Sequence, residues 1–288
     1  MEVKQSNQRL VHGILRLATV LLFAGRAWQH LFWDAPFRAL FWDQELMENL
    51  VLFFRGGTWQ EYVTSAAADG FIQSVIISFG VFYAIMAVIS LLPRRIILQV
   101  SWLYFLASVA LVFLAFLYSK EKFFHIGQFL EYAIQFMLPL FFLYSATEKV
   151  NHNKLLIYLK IAIALTFSAH GLYAIGFYPQ PGVFIDMIIN IFGVGEQTAK
   201  QLLYVAGTLD FIISITIFIP RLAKVSLFYA VAWGGLTALA RTWANFYAGF
   251  PLESLNQHLH ETLYRLPHML VPMAAFFIIQ KIKNKQFR

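Results

Sequence analysis

The stretch FIQSVIISFGVFYAIMAVISLL, residues 71–92, carries no charged side chain. It is long enough to cross a lipid bilayer, which takes about 20 mostly apolar residues. The whole chain is similar in character, because hydrophobic residues make up 59% of its 288 residues and charged residues only 13%. A soluble domain carries about twice that charged fraction. The composition therefore predicts an integral membrane protein and excludes a soluble enzyme or a nucleic-acid-binding protein.

Seven further segments have the length and apolar composition of a membrane span. They are residues 10–32, 97–118, 128–147, 155–177, 199–219, 224–244 and 262–281. In lipid, only helices or a closed barrel satisfy every backbone polar group. Because no alternating strand pattern is visible, we predict an all-α integral membrane protein with eight transmembrane helices.

Lysine and arginine collect on one side of these predicted spans. The basic positions on that side include Lys4, Arg16, Arg94, Arg95, Arg221, Lys224, Lys281, Lys283, Lys285 and Arg288. Most acidic residues fall on the other side, and cytoplasmic loops are the ones enriched in Lys and Arg. The pattern predicts cytoplasmic N- and C-termini and fits a multi-pass protein of a bacterial inner membrane. The absence of cysteine excludes disulfides, iron–sulfur ligation and thiolate metal sites.

The two halves of the chain align with each other through four successive predicted helices. LRLATVLLFAGR at 15–26 lies over LKIAIALTFSAH at 159–170. The aligned pairs include Arg26 with His170, Gly80 with Gly207, Tyr83 with Asp210, His125 with His258, Tyr132 with Arg265 and Gln135 with His268. Each half has an even number of spans, so the repeats are predicted to be parallel. We therefore predict two four-helix bundles, residues 1–150 and 151–288.

Each half also contains an amphipathic segment between its first and second spans. Residues 35–53 and 181–192 are predicted to be interfacial helices on the outer face, ended by Gly56-Gly57 and Gly193. Two interpretations stay open. These helices either only cover the outer ends of the spans or control access to a pocket that lies beneath them.

The repeating unit resembles the DoxX-like membrane protein family. The likeness is carried by the tail Phe23-Ala24-Gly25-Arg26, an early basic residue in the first helix, the outer loop after it, and a histidine at the entry to the fourth helix. It covers nearly the whole chain, as a tandem duplication. That family includes subunits associated with quinone reduction and redox-accessory membrane proteins, so the resemblance implies the four-helix fold and a link to quinones.

Ionisable residues within membrane spans are costly and are candidates for function. The candidate ligand-binding residues are Arg26, His30, Glu131, His170, Arg241, His258, Glu261, Arg265 and His268. The last four are spaced by 3, 4 and 3 residues, which predicts one stripe on a helix. Pro267 leaves the carbonyl of Leu263 without its helical hydrogen bond, which predicts a bend that would widen the bundle there. Asp210 is isolated in its span, and the sequence favours neither a proton relay nor a hydrogen bond to a neighbouring helix.

Three interpretations of these polar residues compete. They join helices through hydrogen bonds and ion pairs, they bind a ligand, or they hold a metal or haem. In the second, arginine and histidine hold an anionic or quinone-like head group between aromatic walls, expected at Trp28, Tyr173, Trp243 and Tyr264. In the third, the ligands are His170, His258, Glu261 and His268, but the neighbouring arginines disfavour an added cation.

The predicted function is the binding of a small, partly apolar or anionic ligand in an outward-facing polar pocket. The ligand is quinone-like or lipid-like, and the protein is accessory to quinone-linked electron transfer. The alternative is a non-catalytic subunit or scaffold whose polar residues assemble helices beside a membrane-complex partner. Membrane lipid is an expected partner in both cases and nucleic acid in neither, and no reaction is assigned to any residue.

Overall fold

The computed structural model describes the backbone of residues 2–286 and the side chains of residues 8–281. Every regular element within residues 2–286 is a helix, so the all-α prediction is confirmed. The side chains of Lys4, Lys283, Lys285 and Arg288, which contribute to the predicted topology, lie outside the described residues.

The helices of the first half run from α1 to α9. They are α1 (Glu2–Phe32), α2 (Arg38–Phe41), α3 (Gln44–Arg55), α4 (Trp59–Val63), α5 (Ala66–Leu91), α6 (Arg94–Gln99), α7 (Ser101–Glu121), α8 (Ile126–Glu131) and α9 (Ala133–Ser145). Those of the second half are α10 (His152–Ala174), α11 (Gly182–Phe192), α12 (Glu196–Thr216), α13 (Ala223–Trp243), α14 (Pro251–Arg265) and α15 (Pro267–Gln286).

Seven helical segments of the described chain are long and apolar enough to cross a membrane, which indicates a multi-pass membrane protein. They are Gln8–Phe32, Ala66–Leu91, Ser101–Glu121, Ile126–Ser145, His152–Ala174, Ala223–Trp243 and Pro251–Lys281. The eighth predicted span corresponds to α12, which is not among the seven. This 21-residue helix includes Glu196, Lys200 and Asp210, and these charged residues lower its apolar character.

The last segment of each half is interrupted at a similar place. Tyr132 separates α8 from α9, and Leu266 separates α14 from α15. Where a bend was predicted at Pro267, the helix is divided, and this proline occupies the first position of α15. Proline is tolerated there because the first N–H groups of a helix have no intrahelical acceptor.

Two helices lie at the centre of the bundle. α1 packs against α5 and α9 and also against α14 and α15, while α10 packs against α12 and α15 and also against α8 and α9. Their inward faces carry fully buried apolar side chains such as Leu15 and Leu22 in α1 and Leu159 and Ile163 in α10. Each central helix therefore contacts the interrupted segment of both halves.

Glycines allow two of these contacts to be very close. A Cβ atom added to Gly25 would lie 2.7 Å from the backbone nitrogen of Tyr264 and 2.9 Å from the carbonyl oxygen of His260. A Cβ atom on Gly171 would lie 3.0 Å from the carbonyl oxygen of Gly207. Small residues let helices approach closely in membranes, where the hydrophobic effect does not drive helices together.

The outer helix predicted over residues 35–53 is divided in two. α2 ends before Trp42, and Asp43 caps α3 by accepting a hydrogen bond of 3.0 Å from the backbone N–H of Leu46. Phe37 is buried in the core and not on an interfacial face. The predicted helix ends are confirmed, because Gly56 and Gly193 have positive φ values of 70° and 65°, a region that suits glycine.

The two outer segments differ in how they are attached. In the first half, Arg38 bonds to Asp69 at 2.9 Å, and Lys120 of α7 donates to Asp43. In the second half, α11 is attached by a 3.2 Å hydrogen bond from Asn190 to a carbonyl oxygen of the loop after α13, and by ring contacts. The outer segment of the first half is thus anchored by ion pairs.

Acidification is expected to loosen α3. The hydrogen bond from Lys120, together with that from the Leu46 N–H, holds the pKa of the Asp43 carboxyl below its usual range. A carboxyl group with a lowered pKa in the folded protein stabilises the fold fully at pH values above its unfolded-state pKa of about 3.9. That stabilisation is lost as the pH falls through the lowered pKa of the folded protein. Hydrogen exchange of residues 44–55, relative to the intrinsic rate, should therefore increase below about pH 4. Lys120→Gln should already show faster exchange at neutral pH, and equal protection in both proteins would contradict the prediction.

Candidate functional site

Arg26 is at the centre of a buried polar network in the first half. Its guanidinium donates to the side-chain oxygen of Gln135 at 2.5 Å and to that of Gln29 at 2.7 Å. The guanidinium carbon also lies 3.9 Å from the ring centroid of Tyr264. Among residues 8–281, no carboxylate lies within ion-pair distance of Arg26, so amide oxygens and aromatic rings stabilise its charge.

His30 belongs to the same network. Its Nδ1 atom lies 2.7 Å from the carbonyl oxygen of Arg26, one turn earlier on α1. Its ring meets Tyr83 edge-on at 5.2 Å and Phe37 at 6.1 Å. These rings surround His30, whose Nε2 atom has no hydrogen-bond partner among residues 8–281.

A second cluster is built around two glutamates, of which Glu131 joins the two halves. Glu131 lies 3.7 Å from His170 and 4.0 Å from Arg265. Glu261 lies 3.7 Å from both Arg241 and Arg265 and 4.0 Å from His258. The polar stripe predicted on the last helix is therefore brought against polar residues of α10, α13 and the first half. We call these residues the glutamate cluster.

The ion pairs of the glutamate cluster are too long to be direct hydrogen bonds, which need about 3.2 Å or less. Several buried donor atoms consequently have no hydrogen-bond partner within residues 8–281. They include Nε of Arg241, Nη1 of Arg265 and Nε2 of His268. Leaving such a group unpaired costs about 1–3 kcal/mol, and more when it is charged.

A cavity of about 820 Å³ lies beside the glutamate cluster. Its wall is formed by residues of α10 to α15, all from the second half of the chain. His170, Arg241, Arg265 and His268 are in this wall, and most of the remaining lining is apolar. The volume is within the range of about 300–1,000 Å³ that is usual for small-molecule sites.

The cavity is open to the surroundings of the bundle on an apolar side. Leu236 is 61% exposed, Leu239 54% and Trp243 73%, although all three contribute to the wall. α11 closes part of the outer end with Phe184 and its neighbours on the same face. The Phe184 ring lies 5.4 Å from the guanidinium carbon of Arg241, which links this outer helix to the polar end of the cavity.

The nine predicted site residues therefore occupy three positions. Four line the cavity: His170, Arg241, Arg265 and His268. Three others, Glu131, His258 and Glu261, contact the arginines and histidines of the wall or one another. Arg26 and His30 belong to the packed network of the first half.

The aromatic walls were predicted less well than the polar residues. Trp243 lines the cavity, but Trp28, Tyr173 and Tyr264 do not. Tyr264 covers Arg26, and the Tyr173 hydroxyl lies 3.3 Å from Nδ1 of His125. The helix faces that carry Tyr173 and Tyr264 are directed at other parts of the bundle, a direction that the residue type alone does not give.

Asp210 and Trp233 also line the cavity, and the sequence did not assign them to it. The apolar face of α11, for which gating of a pocket was one of two interpretations, lines it as well. Asp210 is only 3% exposed. The isolation of an acid in the middle of a predicted span was the signal that marked it. The missing information was the position of α12 relative to α10 and α13.

In the described side chains, residues 8–281, no three His, Asp or Glu residues are close enough together to hold a metal ion. The four candidate metal ligands are divided between the cavity wall and the surrounding cluster. His170 and His268 are in contact, with ring centroids 5.7 Å apart, whereas His258 lies beside Glu261.

No match to this chain was found among protein-family models, curated proteins or solved structures. The proposals below therefore depend on the residues, the fold and the cavity.

Proposed function

We propose that this protein binds a small amphiphilic ligand in the cavity of its second half. The observation that carries this proposal is that three residues of the cavity wall keep buried nitrogen atoms without a hydrogen-bond partner within the described chain. Arg241, Arg265 and His268 each retain an N–H or ring nitrogen without a partner among the described side chains. An anionic or hydrogen-bond-accepting head group would satisfy them, and the apolar wall suits the rest of the ligand.

The unpaired nitrogens of the wall favour an acceptor. Arg241 and Arg265 are balanced in charge by Glu131 and Glu261, and Arg26 belongs to the separate network of the first half. The head group would therefore pair with the wall arginines through hydrogen bonds and not by cancelling an excess charge. Carboxylate or phosphate suits the fork of an arginine, and the carbonyl oxygens of a quinone-like ring would accept the same hydrogen bonds without adding charge.

The ligand is proposed to come from the membrane. The exposed wall residues Leu236 and Leu239 lie on α13, one of the helices apolar enough to face lipid. A lipid-like or quinone-like molecule would enter through this side without leaving an apolar environment. α11 would then cover the outer end of the site. We therefore include in this proposal that α11 gates access to the cavity.

The proposed architecture is eight membrane-spanning helices in two tandem four-helix repeats, with cytoplasmic termini. Two features support the duplication: the reciprocal packing of α1 and α10, and the interruptions at Tyr132 and Leu266. α12 would be the eighth span, with Asp210 facing protein. The DoxX-like resemblance, a place in a bacterial inner membrane and an accessory role in quinone-linked electron transfer are part of the same proposal.

A scaffold function is the second candidate, and the Arg26 network favours it. Arg26 is fully buried, and its guanidinium donates to Gln29 and Gln135. If the glutamate cluster worked in the same way, its polar residues would only assemble helices next to a partner protein. The cavity beside the glutamate cluster is the observation that separates the two candidates, since buried atoms with no partner among the described side chains also occur in the first half, at Nε2 of His30 and the hydroxyl of Tyr83.

Native mass spectrometry of the detergent-extracted protein should detect a bound amphiphile. Arg265→Lys keeps the charge beside both glutamates but loses the planar fork, and His268→Ala removes one donor. Both are expected to lower ligand occupancy by about tenfold, the effect of one or two hydrogen bonds. Arg55→Lys, on the outer helix α3, is the matched control and should retain wild-type occupancy.

Thermal stability measured on the same samples separates the two candidate functions. If both cavity variants keep the ligand but unfold at lower temperature, the residues are structural and the ligand proposal is wrong. If occupancy falls while the unfolding temperature of the ligand-free protein is unchanged, the scaffold proposal is wrong.

A further inference from the structure

Asp210 is a second polar point of the cavity, separate from the glutamate cluster. It is 3% exposed, lies in the cavity wall, and its Oδ1 atom has no hydrogen-bond partner within the described part of the chain. Trp233, also in the wall, lies beside this carboxyl group. Because the indole of Trp233 has a single N–H to donate, the carboxyl group retains free acceptor capacity.

The packing of glycines places Asp210 at the inner end of the cavity. Gly207, one turn before Asp210 on α12, is in contact with Gly171 of α10, the residue after His170. On α13, Gly234 follows Trp233 directly, and its Cα packs against the backbone of His268. Asp210, Trp233 and His268 therefore lie at similar depth.

The arginine end lies further out. Arg241 follows Gly234 by seven residues on α13, which corresponds to about 10 Å along the helix axis. Between these two levels the wall from α13 consists of Leu236, Thr237, Leu239 and Ala240. On α13 the two polar levels are thus separated by a mainly apolar section, while on the facing helices His268 lies at the Asp210 level and Arg265 one turn further out.

We propose that the ligand is bipolar, with a hydroxyl-class hydrogen-bond donor at Asp210 and its acceptor or anionic head at Arg241 and Arg265. This inference rests on the proposed ligand-binding function. A simple amphiphile would satisfy the arginine end and leave the Asp210 oxygen buried and unpaired, at a cost in affinity. A hydroxyl group suits this position because it both donates and accepts, and so pairs with either protonation state of the carboxyl.

The test uses fatty acids as probes. Medium-chain ω-hydroxy fatty acids of increasing length are compared with the unsubstituted acids of the same length. Their binding to the delipidated wild-type protein in detergent is measured by calorimetry. The hydroxyl group should increase affinity about tenfold, and only at the chain lengths that span about 10 Å between the two polar ends.

Variants assign this increase to Asp210. Asp210→Leu should abolish the difference between hydroxylated and plain acids, whereas Asp210→Asn should keep it because the amide oxygen still accepts. Asp186→Leu is the matched control. It removes an exposed acid of α11 that is not in the cavity wall, and it should leave the difference unchanged.

The two proposals fail in different ways. Equal binding of hydroxylated and plain acids at every length, with both weakened by Arg265→Lys, would overturn the role of Asp210 and leave the head-group site intact. Absence of binding by all probes, or binding unaffected by Arg265→Lys, would overturn the head-group site and the bipolar ligand together. If Asp210→Leu does not fold, the affinities of hydroxylated and plain acids for the wild-type protein, compared across chain lengths, still test the bipolar-ligand proposal.

Discussion

Gly25→Leu is expected to lower the stability of the detergent-solubilised protein by about 3 kcal/mol, at the upper end of the usual cost of overpacking. The reason is that the first atom of any side chain at Gly25 would meet backbone of α14, 2.7 Å from the nitrogen of Tyr264. Backbone cannot move aside as a flexible side chain can. α1 must separate from α14, which also displaces Tyr264 from its position over Arg26. A thermal or denaturant unfolding curve measures the effect.

Gly13 of the same helix is the matched control. A Cβ atom at Gly13 has no neighbour within 4 Å among the described atoms, and the residue is exposed. Gly13→Leu should be neutral or stabilise by up to about 1 kcal/mol, because leucine favours a helix more than glycine does. If the two leucine variants unfold alike, α1 and α14 do not pack as closely as the structure indicates.

The helices and their ends were predictable because their causes are local. A long uncharged stretch such as residues 71–92 specifies a span by length and composition, and it corresponds to α5. Gly56 and Gly193 end outer helices because of a backbone conformation that glycine adopts most easily. The interruption at Pro267 follows from the missing N–H of proline. None of these features depends on a distant part of the chain.

The cavity was not predictable, because it depends on which helix faces meet. The stripe of Glu261, Arg265 and His268 had to face protein, but sequence spacing does not specify which neighbour each residue contacts. Trp28 and Tyr173 were placed in the wall because of their residue type, and they lie elsewhere. Asp210 lines the wall because Gly207 lets α12 approach α10 closely, and this approach is a tertiary property.

The proposed duplication gives a physical reason why the cavity lies in the second half. Under that alignment, the fully buried Arg26 and Tyr83 of the first half correspond to His170 and Asp210 of the second. Both replacements are smaller. In the first half the larger side chains occupy the space between α1, α5 and the fourth segment, whereas in the second half the corresponding space contributes to a cavity. One repeat would then provide structural support and the other a binding site.

Ala240→Phe is expected to lower ligand affinity by at least about tenfold, a loss of about 1.4 kcal/mol in binding free energy, with little change in the stability of the ligand-free protein. Ala240 lies in the cavity wall on α13, between the arginine end and the level of Asp210. A phenyl ring there would occupy volume that the ligand needs. Because the space is open, the ring should fit without the cost of about 1–3 kcal/mol that overpacking a dense core incurs.

Ala232→Phe provides the control, since Ala232 is exposed on the same helix and is not part of the cavity wall. Ligand occupancy by native mass spectrometry and thermal unfolding of the ligand-free protein are measured on both variants. Retention of the ligand in Ala240→Phe would contradict binding in this cavity. Loss of stability in Ala240→Phe but not in Ala232→Phe would mean that the region is densely packed, and the scaffold function would then be the better account of its buried arginines and histidines.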